Sequence, residues 1–477
     1  MQCYAYDSLF LSHDGVAVAS GTDTNAGRPL ASRLTLLLVA VVFAANVYRA
    51  ATEGITIDEA YTYNHFVSPP FWKVMTSYDG NHHVLNSLLA KLTCNLFGVS
   101  ELALRMPSLA GGLIYLLAAR AVVLFVFGTE WAIAAFALVS LNPFVMDYLS
   151  AARGYGLALG FWMSALWFFL RHGSLQDQWR RAGISLGLTL ASNLTFLLPV
   201  AALGGAALVE AGAKHFAPFV KRVIVPAVLV AVGFCALPLS RAHPDQFYYS
   251  VPLMRTAADS FMKLSLQRTT PYFSWMFQAT VSLGIVVLAG SAAGMVAIVR
   301  KGVRSALDRL ILLNGGAMAV CFLVTWLAHI TLGFGYPFTR TGIYWPVMLA
   351  LGGAGLVERF VRFGALRWTA LVLAALIVVQ FVREFDPRYY GEWKFDAGSK
   401  RIAAFLLKEY GRGKVRIAVN QNLSHSLVYY RNRNGALWDL FLEPGDRGDV
   451  YVLLPEEYRA DLKLLYRDPV SGAVIMR

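Results

Sequence analysis

Two acids, two histidines and three arginines stand out because they carry charge or lone pairs where a mostly apolar chain does not need them. Asp58 and Glu59 sit in Gly54-Ile55-Thr56-Ile57-Asp58-Glu59-Ala60-Tyr61, soon after the first apolar run, and His82 and His83 follow in Asp79-Gly80-Asn81-His82-His83-Val84. A carboxylate kept partly desolvated at a membrane surface is suited to act as a general base. The same Thr56-Ile57-Asp58-Glu59 run also fits a capping box, with Thr56 capping a helix, Glu59 returning the bond and Asp58 favouring the helix dipole. The two readings are compatible. For His82 and His83 the simpler reading is a pair that caps the next helix. Substrate binding is the alternative, as is a divalent metal shared with Asp58 and Glu59, although no spacing here is diagnostic of a ligand set.

The arginines divide in the same way. Arg105 lies four residues after Glu101, the spacing of a helical ion pair, and is otherwise available to a substrate phosphate. Arg153, in Ala151-Ala152-Arg153-Gly154-Tyr155-Gly156, and Arg340, in Tyr336-Pro337-Phe338-Thr339-Arg340-Thr341-Gly342, each stand at the end of an apolar span. Snorkelling to lipid head groups explains one cation of this kind. Two of them beside glycine, proline and aromatic residues such as Tyr155 also fit a phosphate site.

These residues must be positioned by a membrane protein. The chain has 477 residues, of which 57% are hydrophobic and 15% charged, and its mean hydropathy is +0.52, far from the usual soluble composition. Apolar runs near 32–50, 106–127, 131–149, 155–170, 182–198, 194–210, 223–239, 273–299, 310–332, 341–357 and 366–382 give about eleven spans. Basic residues cluster between alternate spans: Arg171, His172, Arg180 and Arg181; Lys214, Lys221 and Arg222; Arg300, Lys301, Arg304 and Arg309; Arg359, Arg362 and Arg367. The net charge of +13 is therefore a topology signal and excludes a nucleic-acid groove. It predicts a cytoplasmic N-terminus and an outward C-terminus, with 51–105, 140–155, 240–272, 332–341 and 384–477 sharing the outer face.

Three regions follow: an N-terminal tail over 1–31 without signal-peptide features, a membrane module over 32–384 with its first outer loop at 51–105, and an outer region over 385–477. Leu85, Leu88, Leu89, Leu92 and Leu96 recur at helical spacing opposite Asn86, Ser87, Lys91 and Asn95, which predicts a juxtamembrane helix too short to span. Asp245, the pair Tyr248-Tyr249 and other polar residues make 240–272 a candidate lid. After Arg383 a helix near 397–410, a strand at 415–419, a helix near 423–431, a strand at 450–454 and a final hairpin predict a small α/β domain. The four cysteines are scattered and imply no disulfide framework. No glycine-rich phosphate cradle is present, so nucleotide-driven chemistry is not expected.

With the acidic pair after the first span, the His-containing motif before the short helix and Glu101-Leu102-Ala103-Leu104-Arg105-Met106-Pro107-Ser108 opening the second span, the chain resembles GT-C membrane glycosyltransferases. It is most similar to bacterial relatives of protein O-mannosyltransferases and aminoarabinose transferases, and the runs at 152–156 and 337–342 carry the same likeness over roughly 32–385. It departs from mannosyltransferase relatives in having His83-Val84-Leu85 in place of His-Pro-Pro, and Asn193 where some relatives have histidine. The resemblance implies an all-α, GT-C-like polytopic protein of the bacterial cytoplasmic membrane. It implies transfer of a sugar from a polyprenyl-phosphate donor to a glycan, lipid or protein acceptor on the outer face, with Asp58 as the catalytic acid residue. Arginines would stabilise the departing phosphate, and Asp58 acting as base would give inversion. A transporter or flippase of lipid-linked sugars is the competing reading, but it calls for ionisable residues near mid-membrane and often internal repeats. A non-catalytic assembly subunit is a third.

Overall fold

A computed structural model describes residues 27–171, 175–243, 246, 249–361, 363–442 and 448–477. Most of the expected N-terminal tail, together with His172, Asp245, Tyr248 and Arg362, lies outside the described residues. Among the rest, seven helical stretches are long and apolar enough to cross a membrane: Arg28–Thr52, Glu101–Val126, Leu194–Ala211, Ala213–Leu239, Ser274–Lys301, Ala306–Leu332 and Gly364–Glu384. The protein is thus an all-α polytopic membrane protein with a small β-containing C-terminal region. Of the other expected spans, Thr129–Ser140, Tyr155–Leu170 and Tyr344–Phe360 are only 12, 16 and 17 residues long, and Leu175–Ser192 carries Asp177, Arg180 and Arg181.

In chain order the helices are α1 (Arg28–Thr52), α2 (Ile57–Thr62), α3 (Phe71–Thr76), α4 (Val84–Phe97), α5 (Glu101–Val126), α6 (Thr129–Ser140), α7 (Pro143–Tyr148), α8 (Tyr155–Leu170), α9 (Leu175–Ser192) and α10 (Leu197–Ala211). There follow α11 (Phe216–Phe219), α12 (Val225–Leu239), α13 (Met254–Leu266), α14 (Ser274–Lys301), α15 (Ala306–Leu310), α16 (Gly316–Leu332), α17 (Tyr344–Phe360) and α18 (Gly364–Glu384). The bundle core forms where α5, α6, α8, α10 and α17 bury Tyr115, Phe136, Trp162, Leu203 and Val347 together. Glycines let α5 and α8 approach backbone to backbone: a Cβ on Gly160 would lie 2.5 Å from the Gly111 carbonyl oxygen. Outward leucines and valines such as Leu36, Leu37 and Val41 on α1 are exposed, as a lipid-facing stripe requires.

Helix α4 is amphipathic as expected, and Asn86, Ser87 and Lys91 of its polar side turn inward while Asn95 is exposed. Asn86 Nδ2 donates to the Ala152 carbonyl at 3.3 Å and Lys91 Nζ to the Val67 carbonyl at 2.7 Å, while Leu92 and Leu96 are exposed. The segment 240–272 forms strand β1 (Ser250–Val251) and α13, and β1 pairs antiparallel with β2 (Tyr336–Pro337).

The C-terminal region contains α19 (Ser399–Tyr410), β3 (Arg416–Val419), α20 (Gln421–Asn434), β4 (Asp439–Phe441), β5 (Val450–Leu453), β6 (Leu464–Arg467) and β7 (Val474–Met476). Strand order is β4-β3-β5-β7-β6, parallel across β4, β3 and β5 and antiparallel at β7 and β6. Strand β4 was not anticipated because three residues are too short to show alternation. This sheet and its helices share a core with Ile55, Ala60, Ala103 and Leu104 of the first loop and α5. Ile55 donates its N–H to the Tyr430 hydroxyl at 3.0 Å, and the Ser399 hydroxyl donates to the Ile55 carbonyl at 3.0 Å. The C-terminal region therefore fixes the entry to α2, the helix that carries Asp58.

Candidate active site

Thr56 starts α2 with a capping box: the Glu59 N–H donates to Thr56 Oγ1 at 3.3 Å and the Thr56 N–H to Glu59 Oε2 at 2.9 Å. Glu59 also receives Arg105 Nε at 2.9 Å, Arg105 Nη2 at 2.6 Å and the Ala152 N–H at 2.5 Å. Arg105 spends its remaining donors on the carbonyls of Ala50, Glu53 and Gly54. Both side chains are sealed from solvent. This corrects the expected Glu101–Arg105 pair: Glu101 instead accepts from Arg433 at 2.7 Å and from the Tyr430 hydroxyl at 2.9 Å. Glu59 and Arg105 together lock α2 to α5 and to the α7–α8 turn.

With Glu59 turned inward, the next residue around the helix points elsewhere. Asp58 Oδ2 lies 3.2 Å from Arg340 Nη2 and 3.9 Å from Arg153 Nη2. Arg153 is held at the α7–α8 turn by Asn81 Oδ1 at 2.8 Å and by the Asp58 carbonyl and Thr62 Oγ1, each at 3.3 Å. A Cβ on Gly154 would lie 1.9 Å from the Ser192 carbonyl oxygen and 2.8 Å from His83 Cβ, so glycine is needed there to seat Arg153 and His83 together. Burial by itself would raise the Asp58 carboxyl, but Arg340 and Arg153 outweigh it and, with a hydrogen bond from Trp393, hold it below the usual carboxylate value. Asp58 is ionised at neutral pH.

His82 stacks on Phe66 with ring centroids 4.0 Å apart, and its Nδ1 faces the Ser77 carbonyl at 3.0 Å. His83 occupies the N-cap position of α4 without a side-chain cap bond, which corrects the capping expectation, and it meets Tyr155 edge-on at 5.3 Å. Burial pushes the His82 imidazole down to about 4, and burial with the Arg153 charge pushes His83 well below 6.5. Both are neutral rings at neutral pH. Among the described residues no three His, Cys, Asp or Glu side chains gather to hold a metal ion. The acids present do not fit a cation either, since Asp58 faces two guanidinium groups and Glu59 is committed to Arg105.

Arg340 is the hub. It pairs with Asp58 and with Glu392, and its guanidinium lies 4.1 Å from the centroid of the Tyr249 ring and 5.9 Å from that of Trp393. Asp58, Arg340 and Glu392 keep 13%, 13% and 12% of their side-chain surface open, against 1% for Arg153 and none for Glu59 and Arg105. The structure thus gathers Asp58, Arg153, Arg340, His83 and Tyr155, and places Glu59 and Arg105 in a separate sealed pair behind them.

Sequence reasoning missed Glu392, Trp393 and Asp147, and placed Tyr249 only in a candidate lid. Asp147 accepts from Arg49 at 2.7 Å, from Arg268 Nη2 at 2.6 Å and from the Gly391 N–H at 2.8 Å, and so ties α1 and α7 to the segment bearing Glu392. An acid inside the apolar run 131–149 was the available signal for it. Glu392 and Trp393 lie in a segment with no motif.

The sequence profile for dolichyl-phosphate-mannose-protein mannosyltransferases matches residues 81–238, about a third of the chain. No curated protein sequence matches significantly. The structure is similar to that of ArnT from Cupriavidus metallidurans in the apo state, with a TM-score of 0.51 and 13% identity over 94% of this chain and 98% of that one. The same ArnT bound to undecaprenyl phosphate aligns with a TM-score of 0.47 and 14% identity over 92% and 97% of the two chains. An Archaeoglobus fulgidus oligosaccharyltransferase in complex with Zn and sulfate gives 0.46 and 13% over 88% and 62%. The chain shares its overall fold with the apo ArnT.

Proposed function

We propose that this protein transfers a sugar from a polyprenyl-phosphate-linked donor to an acceptor hydroxyl. The observation that carries the reading is the Asp58 carboxylate, which keeps 13% of its side-chain surface open and lies 3.2 Å from Arg340 and 3.9 Å from Arg153, in a fold shared with ArnT. Arg340 binds the donor phosphate and stabilises the charge that grows on it as the C1–O bond breaks, and the buried Arg153 adds its positive charge from behind Asp58. The acceptor oxygen attacks the anomeric carbon from the opposite face, the bonding electrons leave with the phosphate, and Asp58 takes the acceptor proton. The product has inverted configuration. Glu59 and Arg105 act as positioning residues, holding α2 so that Asp58 faces the opening.

Counting the shorter helices α6 with α7, α8, α9 and α17 beside the seven long stretches gives eleven spans. Ion pairs Arg309–Glu210, Arg359–Asp308 and Arg367–Glu358 collect at the end of the bundle away from Asp58. We assign that basic end to the cytoplasm and the end with Asp58 and the C-terminal domain to the outside. A reporter active only in the cytoplasm, fused after Arg477, should stay silent. Purified protein in liposomes with lipid-linked sugars separates the readings: release of polyprenyl phosphate supports the transferase, movement of intact donor between leaflets a flippase, and neither an assembly subunit.

A further inference from the structure

In-line transfer places base and leaving group on opposite faces of the sugar ring. Arg340 at 3.2 Å from Asp58 is too close to the base to hold the leaving phosphate at the same time. The contact with Asp58 is loose: Asp58 Oδ2 is buried and lacks an aligned hydrogen bond, although Arg340 lies within ion-pair range. The contacts on the other side of Arg340 are dense. Glu392 Oε1 accepts from Arg340 Nη1, from the Tyr249 hydroxyl at 2.8 Å and from Thr339 Oγ1 at 3.1 Å, and its Oε2 accepts from Tyr148.

Thr339, directly before Arg340, is the one non-glycine residue at positive φ among the described residues, at 44°. A β-branched residue there is strained, and such strain persists only where surroundings impose it. Its N–H donates to Ser260 Oγ at 3.1 Å, and its hydroxyl lies 3.0 Å from that of Tyr249. Tyr249 and Ser260 come from the segment that pairs with the Arg340 loop through β1 and β2. Four elements therefore converge to set one guanidinium, and they do so through a carboxylate that the chemistry above leaves without a task.

Resting on the transferase reading, we propose that Glu392 is a positioning residue that parks Arg340 between itself and Asp58 until the donor phosphate arrives and replaces Asp58 as its partner. In the parked state the two acids Asp58 and Glu392 balance Arg340 and Arg153, so the opening carries no net charge. An arriving phosphate competes with carboxylates already in place, and its binding frees Asp58 to act as base. Donor entry and activation of the base are one event.

The test is binding of a short-chain polyprenyl monophosphate to purified protein, with turnover of polyprenyl-phosphate sugars measured alongside. Glu392→Gln keeps the size of the side chain and removes the competing charge, so it should bind the phosphate about fivefold more tightly, as expected for removing a like charge at a part-buried site. Its kcat should fall while KM falls too, because Arg340 is no longer held on the phosphate side. Glu392→Asp restores the charge and should return the affinity to within about twofold of wild type. Equal or weaker binding by a folded Glu392→Gln protein overturns the inference while leaving the transferase reading intact. Wild-type protein that binds no polyprenyl phosphate overturns both. If Glu392→Gln does not fold, a structure of wild type with polyprenyl phosphate decides: Arg340 out of ion-pair range of Asp58 supports the proposal, and Arg340 still on Asp58 overturns it.

Discussion

Replacing Asp58 by asparagine removes one charge and one basic atom and little else. The amide fills the same space, and its oxygen still accepts from Trp393. Arg340 keeps Glu392, and Arg153 keeps Asn81, Thr62 and the Asp58 main-chain carbonyl. No buried cation is stranded, so the variant should melt within a few degrees of wild type. Loss of a general base typically costs about 10² to 10⁴ in rate, and the middle of that range is about 4 kcal/mol of transition-state stabilisation. Donor affinity should move the other way, because Asp58 competes with the phosphate for Arg340. Single-turnover cleavage of a lipid-linked sugar, with phosphate-lipid binding measured separately, distinguishes the two effects. Asp58→Asn that turns over within tenfold of wild type refutes the assignment of the base.

Arg153→Lys and Arg340→Lys keep charge but lose planar two-pronged bonding, so each should lower transfer by about tenfold, the value of one lost charged hydrogen bond, and alanine should lower it further. Lysine variants matching wild type in donor turnover indicate arginines that only snorkel. Glu59→Gln should act mainly on stability: it leaves Arg105 buried without its counter-charge, at a cost of about 3–5 kcal/mol read by thermal or denaturant unfolding. Its residual folded fraction should retain far more activity than Asp58→Asn. Burial disfavours their charged forms, pushing His82 down to about 4 and His83 well below 6.5, so both rings are neutral at neutral pH. The kcat profile should therefore show no step at the ordinary histidine value of about 6.5, and a step there that disappears in His83→Gln contradicts their assigned environment.

The parts of this site legible in sequence were those with a local signature. Thr56-Ile57-Asp58-Glu59 announces its capping box through i to i+3 spacing, and the structure forms it. Arg153 and Arg340 were visible as cations out of place against the topology pattern. What local pattern cannot carry is choice of partner over long separations. Arg105 fits Glu101 at helical spacing yet pairs with Glu59, 46 residues away. Which face of α4 turns inward was equally hidden, since leucines at helical spacing read the same whether they meet protein or lipid. Glu392 lay beyond reach for a similar reason: it becomes significant only once α18 returns the chain beside Tyr148, Tyr249 and Arg340.

The central claim is transfer from a phosphate-linked lipid by displacement at the anomeric carbon, with Asp58 as base. Purified protein should be given a polyprenyl-phosphate sugar of known anomeric configuration and a cell-envelope acceptor fraction. Mass spectrometry would then quantify the released lipid, and NMR would define the new glycosidic bond. The account predicts one polyprenyl phosphate released per glycoside formed, with inverted configuration. Retained configuration, or donor lipid that stays intact while it moves across the bilayer, would contradict it.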